Sequence, residues 1–523
     1  MLLNLTSFRL RMAIIGLCCW TAAACNVLAA PTATPTPTET FTPSPTSTTE
    51  PTATDSPTAT LTPTSTETPT LTMTPSVTPT TAPTLTPTNA PSPTPILTYD
   101  NWSGVNVPAG LLNRLSSPLV AFINANDRQA TTNLLTPRPG NTIESLYYVS
   151  PAAPGTRLEI LEVDSTTGSD IYISPDGTAL VYLRLTGGLN QTGLYLVDLS
   201  VGLSARVLAT TTLSGRGIIN RPAWSPDSQQ IALALETGYD LDIYLINRDG
   251  LTTHLIRDGS YDWAPAWSPD GRYLAFLSDR AVCRTWRPGE PDTCDLPGAL
   301  APITGNVHII DVGTGSVSRL SDVPVSDPPR WVNTRQVAFA SGDPLFGSPD
   351  RRLFIADIIT RETQEMTLSG GDDRLKLAEA WSGDGRNVVY QAAGTSTEIV
   401  LSNVSGAQIG RLLDINFTRY GMAAAWSPDG TRIALGGVGG QCPYGVIVYD
   451  ANFAQIARGN PPPSMCEPRF SPDSRWLAFT GVNPRIDGRV DVYIANQNGF
   501  GAVNITSSLR GSIQLLGWVG GSR

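Results

Sequence analysis

The sequence predicts an all-β fold: a closed ring of repeated four-stranded sheets, set behind a long disordered segment. Three observations predict it. One short turn motif recurs through the chain at intervals of about 43 to 63 residues, a period typical of radial or stacked repeats. Strand-like segments follow each copy at a constant offset. Proline and glycine are abundant, 44 and 47 of 523 residues, which favours turns over helices. The hydrophobic share of 41% can fill a core. The net charge of -10 argues against nucleic acid as a partner, because a phosphate backbone needs a cationic footprint. His254 and His308 are the only histidines. Most zinc sites and multi-histidine centres are thereby excluded.

The N-terminus, residues 1–24, reads as a signal peptide. Arg9 and Arg11 precede an apolar stretch, Met12 to Trp20, too short to span a bilayer comfortably. Ala22-Ala23-Ala24 then lead to Cys25. Small residues directly before a cysteine resemble a bacterial lipobox, which implies a lipidated Cys25 as the first mature residue. The alternative is ordinary secretory cleavage nearby. Multiple acyl chains on one cysteine hold a protein on a membrane durably, whereas a single chain does so only marginally.

Residues 25–97 form the predicted stalk. From residue 31 they are almost entirely Pro, Thr, Ser and Ala. Such a segment cannot bury enough apolar surface to offset its ordering entropy. Frequent proline favours extended polyproline II, with a reach of up to roughly 200 Å if straight. The composition also permits O-glycosylation.

Residues 98–523 carry the repeat. Copies of the motif are Ile173-Ser174-Pro175-Asp176-Gly177, Trp224-Ser225-Pro226-Asp227-Ser228, Trp267-Ser268-Pro269-Asp270-Gly271, Trp381-Ser382-Gly383-Asp384-Gly385, Trp426-Ser427-Pro428-Asp429-Gly430 and Phe470-Ser471-Pro472-Asp473-Ser474. Trp331-Val332-Asn333-Thr334 is a degraded copy. In this motif Pro presets φ, Asp bonds nearby amides and Gly accepts a positive φ. It therefore joins two antiparallel strands. A second strand follows with a recurrent central alanine, as in Leu274-Ala275-Phe276. A third is aromatic and β-branched, as in Ile243-Tyr244-Leu245-Ile246, and a weaker fourth comes after it. Four strands per repeat make a propeller blade.

Over residues 110 to 521 these repeats resemble the TolB-type, WD-repeat-like β-propeller family. The resemblance implies fold strongly and function weakly, because propellers host many unrelated roles. Seven first strands are recognisable. An eighth set begins at Val120-Ala121-Phe122 and lacks a first strand of its own, but Leu515 to Val519 reads like one. Eight blades are expected, with the C-terminal strand completing the first. Seven is the alternative, if residues 98 to 165 form only a cap.

No catalytic centre, cofactor site or metal site is expected. No Gly-x-Ser-x-Gly elbow and no Walker A motif occur. Lys376, the sole lysine, follows Leu375. His308 takes the slot that other repeats give to Tyr or Phe, which predicts packing. His254 has no evident partner in the sequence. The turn aspartates lack the dense alternation of a calcium loop. Outside the signal region stand Cys283, Cys294, Cys442 and Cys466. An even count in an exported chain suggests two disulfides. Three pairings are open, with Cys283–Cys294 and Cys442–Cys466 expected.

In a four-stranded blade the first and third turns share one face. The second loop and the inter-blade link share the other. The long segments 124–143, 185–192, 279–305, 341–351 and 480–489 all fall on that second face, where recognition usually lives. Tyr261, Trp263, Trp286, Arg287, Arg419 and Tyr420 are of the types favoured in binding hot spots. The expectation is a monomeric, exported protein on the cell membrane or cell surface, binding a protein or peptide through this face. The alternatives are a carbohydrate- or wall-polymer-binding module using exposed Trp and Tyr as stacking platforms, a propeller lyase or hydrolase, and a scaffold without a discrete ligand.

Overall fold

The repeated tetrapeptide folds as a turn that satisfies itself. In all six full copies the serine hydroxyl donates to the carboxylate two residues on, at 2.5–2.6 Å. That carboxylate accepts the amide two residues further along. The serine oxygen also accepts the amide that opens the second strand. The degraded copy keeps the logic with a different residue. Asn333 Oδ1 accepts the amides of Arg335 and Gln336, both at 2.9 Å.

The computed structural model describes residues 99–100, 105–126, 142–165, 171–184, 191–210, 214–215, 218–219, 221–236, 240–281, 304–342, 351–367, 375–393, 397–413, 421–438 and 442–521. The signal peptide, Cys25 and the stalk lie outside these residues. So do Cys283, Trp286, Arg287, Cys294, Arg419 and Tyr420.

The described strands form eight antiparallel blades in chain order. Their inner strands are Ser512–Val519 for blade 1, Ile171–Ile173 for blade 2 and Ala223–Trp224 for blade 3. Asp262–Trp267, Arg330–Trp331 and Leu375–Trp381 serve blades 4 to 6. Met422–Trp426 and Cys466–Phe470 serve blades 7 and 8. Blade 1 is therefore shared between the two ends of the propeller. Its strand Leu119–Asn126 pairs with Thr142–Val149 on one side and with Ser512–Val519 on the other. Closure in this way leaves no open inner edge.

Tyr99–Asp100 adds a fifth strand to blade 2, against Leu203–Leu208. The chain then bridges to blade 1 through Val105 and Leu161. One helical turn, Leu111–Arg114, follows with Leu111 buried.

Every junction between blades is bonded. Trp224, Trp267, Trp331, Trp426 and Trp518 each donate the indole N–H to a backbone carbonyl of the preceding blade's inner strand. The acceptors are Tyr172, Ala223, Ala266, Ala380 and Arg469, at 2.9–3.0 Å. Gly520 N–H donates to Pro175 across blades 1 and 2, and Asn333 Nδ2 to Asp384 across blades 5 and 6. Between blades 7 and 8 the Asp429 amide donates to Ser474 Oγ at 3.0 Å. Ser228 serves Asp176 similarly. Both serines occupy the left-handed slot given to glycine elsewhere, at φ near +60°, a conformation that costs a side-chain-bearing residue. The second-strand alanines Ala232, Ala275, Ala338, Ala434 and Ala478 are buried between blades, as are Phe122, Tyr148, Tyr182, Phe276 and Phe479. Each fully buried aromatic of this kind contributes about 1.5–3 kcal/mol by removal from water. Lys376 is also buried, its Nζ 5.8 Å from the Tyr390 ring centroid.

Candidate functional site

The two faces differ in how their polar groups are used. On the turn face the Ser-Pro-Asp carboxylates are occupied within their own turns. Asp429 shows the consequence: burial pushes its carboxyl up, but the Ser427 hydroxyl and the Thr431 amide and hydroxyl together hold it below the ordinary range. A second turn motif lies on the same face at the end of the third strands. Asp198, Asp357, Asn403, Asp450 and Asn496 each accept the amide two residues on. Sequence reasoning missed this second cap. The recurrence of Asp or Asn as the last residue of these third strands was the signal for it.

On the loop face, blade 4 concentrates charge. Arg280 bonds both carboxylate oxygens of Asp262, at 2.8 and 2.9 Å, and the Ser278 hydroxyl at 2.9 Å. It also pairs with Asp258 at 3.1 Å. Asp262 is fully buried, and burial pushes its carboxyl up to about 7 against the pull of Arg280. Asp279, which accepts the Tyr261 amide at 2.8 Å, is pushed to about 6 by burial. His308 lies against Phe276 with its Nδ1 3.0 Å from the Asn306 carbonyl. Burial lowers it to about 4. It is a packing residue, as the sequence suggests.

Tyr261 and Trp263 are not presented for binding. They are 8% and 4% exposed and sit in the core between blades, packed with Leu277, Val307 and Val337. The reason is local. The inner strand of blade 4 begins at Asp262, so the two aromatics belong to the strand region and not to a free loop. His254 is also corrected: it has a partner. Its Nε2 is 2.7 Å from Asp242 Oδ2, and its ring stacks on Tyr244 at 4.2 Å. The pair spans neighbouring strands, so its members are 12 residues apart in the chain.

Cys442 and Cys466 form a disulfide with a Cα–Cα distance of 5.3 Å. It joins the loop of blade 7 to the inner strand of blade 8, beside the parallel pair Gly437–Cys466.

The inner strands line a central channel. In blade 8 burial alternates: Cys466, Pro468 and Phe470 are buried while Glu467 and Arg469 are exposed. Arg221 and Arg330 are likewise exposed, with Pro222 and Pro329 buried beside them. Glu379 accepts the approach of Arg330 at 3.7 Å and of Arg351 at 3.9 Å. Burial raises its carboxyl against both arginines. Among the described residues no group of three or more His, Cys, Asp or Glu could hold a metal ion, and no helix is long and apolar enough to cross a membrane.

Residues 159–283 match the family described as the TolB beta propeller domain. Over that span the repeats are similar to those of the TolB type. A "Protein TolB homolog" of Chlorobium chlorochromatii (strain CaD3) is 37% identical over 109 residues, which is 21% of this chain and 23% of that protein. The homolog of Chlorobium luteolum (strain DSM 273 / BCRC 81028 / 2530) is 31% identical over 144 residues, 27% of this chain and 26% of that protein. The match thus spans about a quarter of the length of these curated relatives. Among solved structures, TolB from Acinetobacter baumannii is 16% identical with a TM-score of 0.31, over 73% of this chain and 81% of that one. Of the residues that open the motif copies, Trp224, Trp267, Trp331 and Trp426 tie their blade to the preceding one through the indole. That role was not evident from the sequence, because each acceptor lies 44 to 65 residues away.

Proposed function

We propose that this TolB-type propeller is an exported, lipid-anchored binding module that holds a protein or peptide on its loop-bearing face and performs no catalysis. The carrying observation is the contrast between the faces. Six turn carboxylates are consumed inside their own turns, whereas the opposite face accepts long insertions. In the sequence 282–303, with Trp286 and Arg287, is the longest stretch between a second and a third strand. The burial of Tyr261 and Trp263 removes two of the stacking platforms that a glycan-binding reading required. The proposed anchor is Cys25, with residues 25–97 as spacer, and the protein is proposed to be monomeric.

The test places a photo-crosslinking residue at Trp286 and, separately, at Arg272 on the turn face. Protein adducts are expected at the first position only. Adducts at Arg272 alone, or capture of glycan without protein, would reverse the assignment. Cys25→Ser should move the chain from the membrane fraction to the soluble one. Equal solubility of variant and wild type removes the anchor.

A further inference from the structure

We propose that the outer strand of blade 6 docks an extended segment of a partner protein, one that presents an acidic residue, an apolar residue and an asparagine in that order. The site lies on the outer rim, apart from the loop-bearing face. The edge of blade 1 shows how such a segment is held.

In blade 1 the outer strand, Arg157–Ser165, carries one extra residue. Leu161 pairs with Leu146 and Glu159 with Tyr147, so Ile160 bulges between them. A bulge breaks the ladder and leaves backbone groups for other partners. The chain's own residues 105 and 106 take them. The Asn106 amide donates to the Ile160 carbonyl at 2.9 Å, and Asn106 Nδ2 donates to the Glu159 carbonyl at 3.1 Å. Val105 makes an antiparallel bridge to Leu161 and packs against the cluster that holds Ile160. Covered in this way, Ile160 is 0% exposed.

Blade 6 repeats the bulge at the same register. Its outer strand is Gln408–Leu412. Gly410 pairs with Leu401 and Gln408 with Ser402, which leaves Ile409 as the extra residue. Among the described residues no strand or bridge lies on its outer side. Ile409 is 42% exposed where Ile160 is buried, and Leu413 just beyond it is 51% exposed. Blades 2 and 7 carry the bulge too, at Val207 and Ile456. Both of those residues are half-buried, and the outer strand of blade 2 already accepts Tyr99–Asp100. An uncovered edge with exposed apolar residues recruits strands. Backbone bonds then give affinity, and alternate side chains give specificity.

Charge separates blade 6 from blade 1. Glu159 and Glu162 flank the bulge of blade 1, and Gln408 and Arg411 hold the same positions in blade 6. In the antiparallel register set by Val105 and Leu161, the residue ahead of the apolar one falls opposite Glu162 in blade 1 and opposite Arg411 in blade 6. The Arg411 side chain is 45% exposed, with its Nε 3.5 Å from Glu398, so a second carboxylate can share its remaining donors. An acidic residue at that point is attracted to blade 6 and repelled from blade 1. The asparagine follows from the two adjacent carbonyls, which take one amide from the backbone and one from the side chain.

The probe is the acetylated, amidated hexapeptide Ser-Asp-Val-Asn-Val-Pro, residues 103–108 with aspartate in place of the glycine and photo-leucine in place of the first valine. It is irradiated at millimolar concentration with the full chain, and adducts are mapped by peptide mass spectrometry. Adducts are expected at residues 408–413. As unlabelled competitors, the peptide with Asn→Ala should be about fivefold weaker through the loss of a neutral hydrogen bond, and the peptide with Asp→Lys about threefold weaker or more. Ile409→Lys places a charge on the edge and should abolish the adducts. Ile359→Lys, at an exposed isoleucine of blade 5, should not. Arg411→Gln should erase the preference for Asp over Lys; if that variant loses stability, the same comparison on wild type carries the test. Adducts on other blades, the bulge of blade 1 included, equal competition by the Ala and Lys peptides, indifference to Ile409→Lys, or no adduct at millimolar peptide overturns the proposal. So does a concentration-dependent dimer that Ile409→Lys abolishes, which would give the edge to a second copy of the chain.

Discussion

Replacing the five clamping tryptophans by phenylalanine tests whether the ring is held by hydrogen bonds or by apolar packing alone. Trp267→Phe keeps most of the ring but removes the N–H that reaches Ala223 at 2.9 Å. A neutral hydrogen bond is worth about 1 kcal/mol net, and a carbonyl left without its partner adds about as much again. The expected cost is therefore about 1–2 kcal/mol per junction. A propeller of roughly 400 residues unfolds with an entropy near 0.9 kcal/mol/K at its midpoint. Each single change should thus lower Tm by only about 1–2 °C, at the edge of detection. The five sites are far apart, and their effects should add. The fivefold variant Trp224, Trp267, Trp331, Trp426 and Trp518→Phe should melt about 5–10 °C below wild type by differential scanning calorimetry. Phe470 occupies the equivalent slot in blade 8 and shows that the ring tolerates one such junction. Trp381 supplies the control, because its indole reaches no carbonyl among the described residues. Trp381→Phe should leave Tm unchanged. A fivefold variant that melts with wild type, or a Trp381→Phe loss equal to the others, refutes the clamp.

Other expectations follow from the same geometry. Ser228→Ala keeps the left-handed strain and loses the bond from the Asp176 amide, so it should cost about 1 kcal/mol in a urea melt; no loss would show that the bond is idle. Cys442→Ser with Cys466→Ser should destabilise by about 3 kcal/mol in the chain-entropy model, and peptide mapping without reductant should recover the two wild-type cysteines linked. Asp262 and Asp279, held up to about 7 and about 6, keep protons in the fold that the unfolded chain has released above pH ~4. Their contribution to stability is full below that pH and is lost as pH rises through their folded values. His308, lowered to about 4, acts oppositely: its contribution is lost as pH falls from ~6.5. Tm recorded from pH 5 to 8 should decline less with rising pH in Asp262→Asn than in wild type. An unchanged slope would mean that Asp262 is ionised throughout.

Much of the ring was legible because its signals are local. Pro, Asp and Gly act within four residues, and strand alternation acts within six, so the motif copies located the blades and even the closing strand at Leu515 to Val519. Contacts between blades were not legible. The partners of Trp267 and Ser228 are 44 and 52 residues away, and no local pattern names them. Tyr261 and Trp263 were misread for a related reason. Asp262-Trp263-Ala264-Pro265 breaks the apolar alternation with a buried acid, and that acid is tolerated only because Arg280 folds back onto it. The pair Asp242–His254 likewise depends on strand register.

The shared first blade sets an order in time. Residues 119–165 emerge early from the ribosome, yet the strand that completes their sheet is drawn from residues 512–519. Until that segment arrives, the early hairpins present an unpaired edge of the kind that recruits foreign strands. Blades 2 to 8 can each gather their own four strands as they appear, whereas the first must wait for the whole array. Loss of residues 512–519 would therefore leave a full set of later blades around a ring that never shuts, and such a molecule should be found by proteases and chaperones before it is found by any ligand.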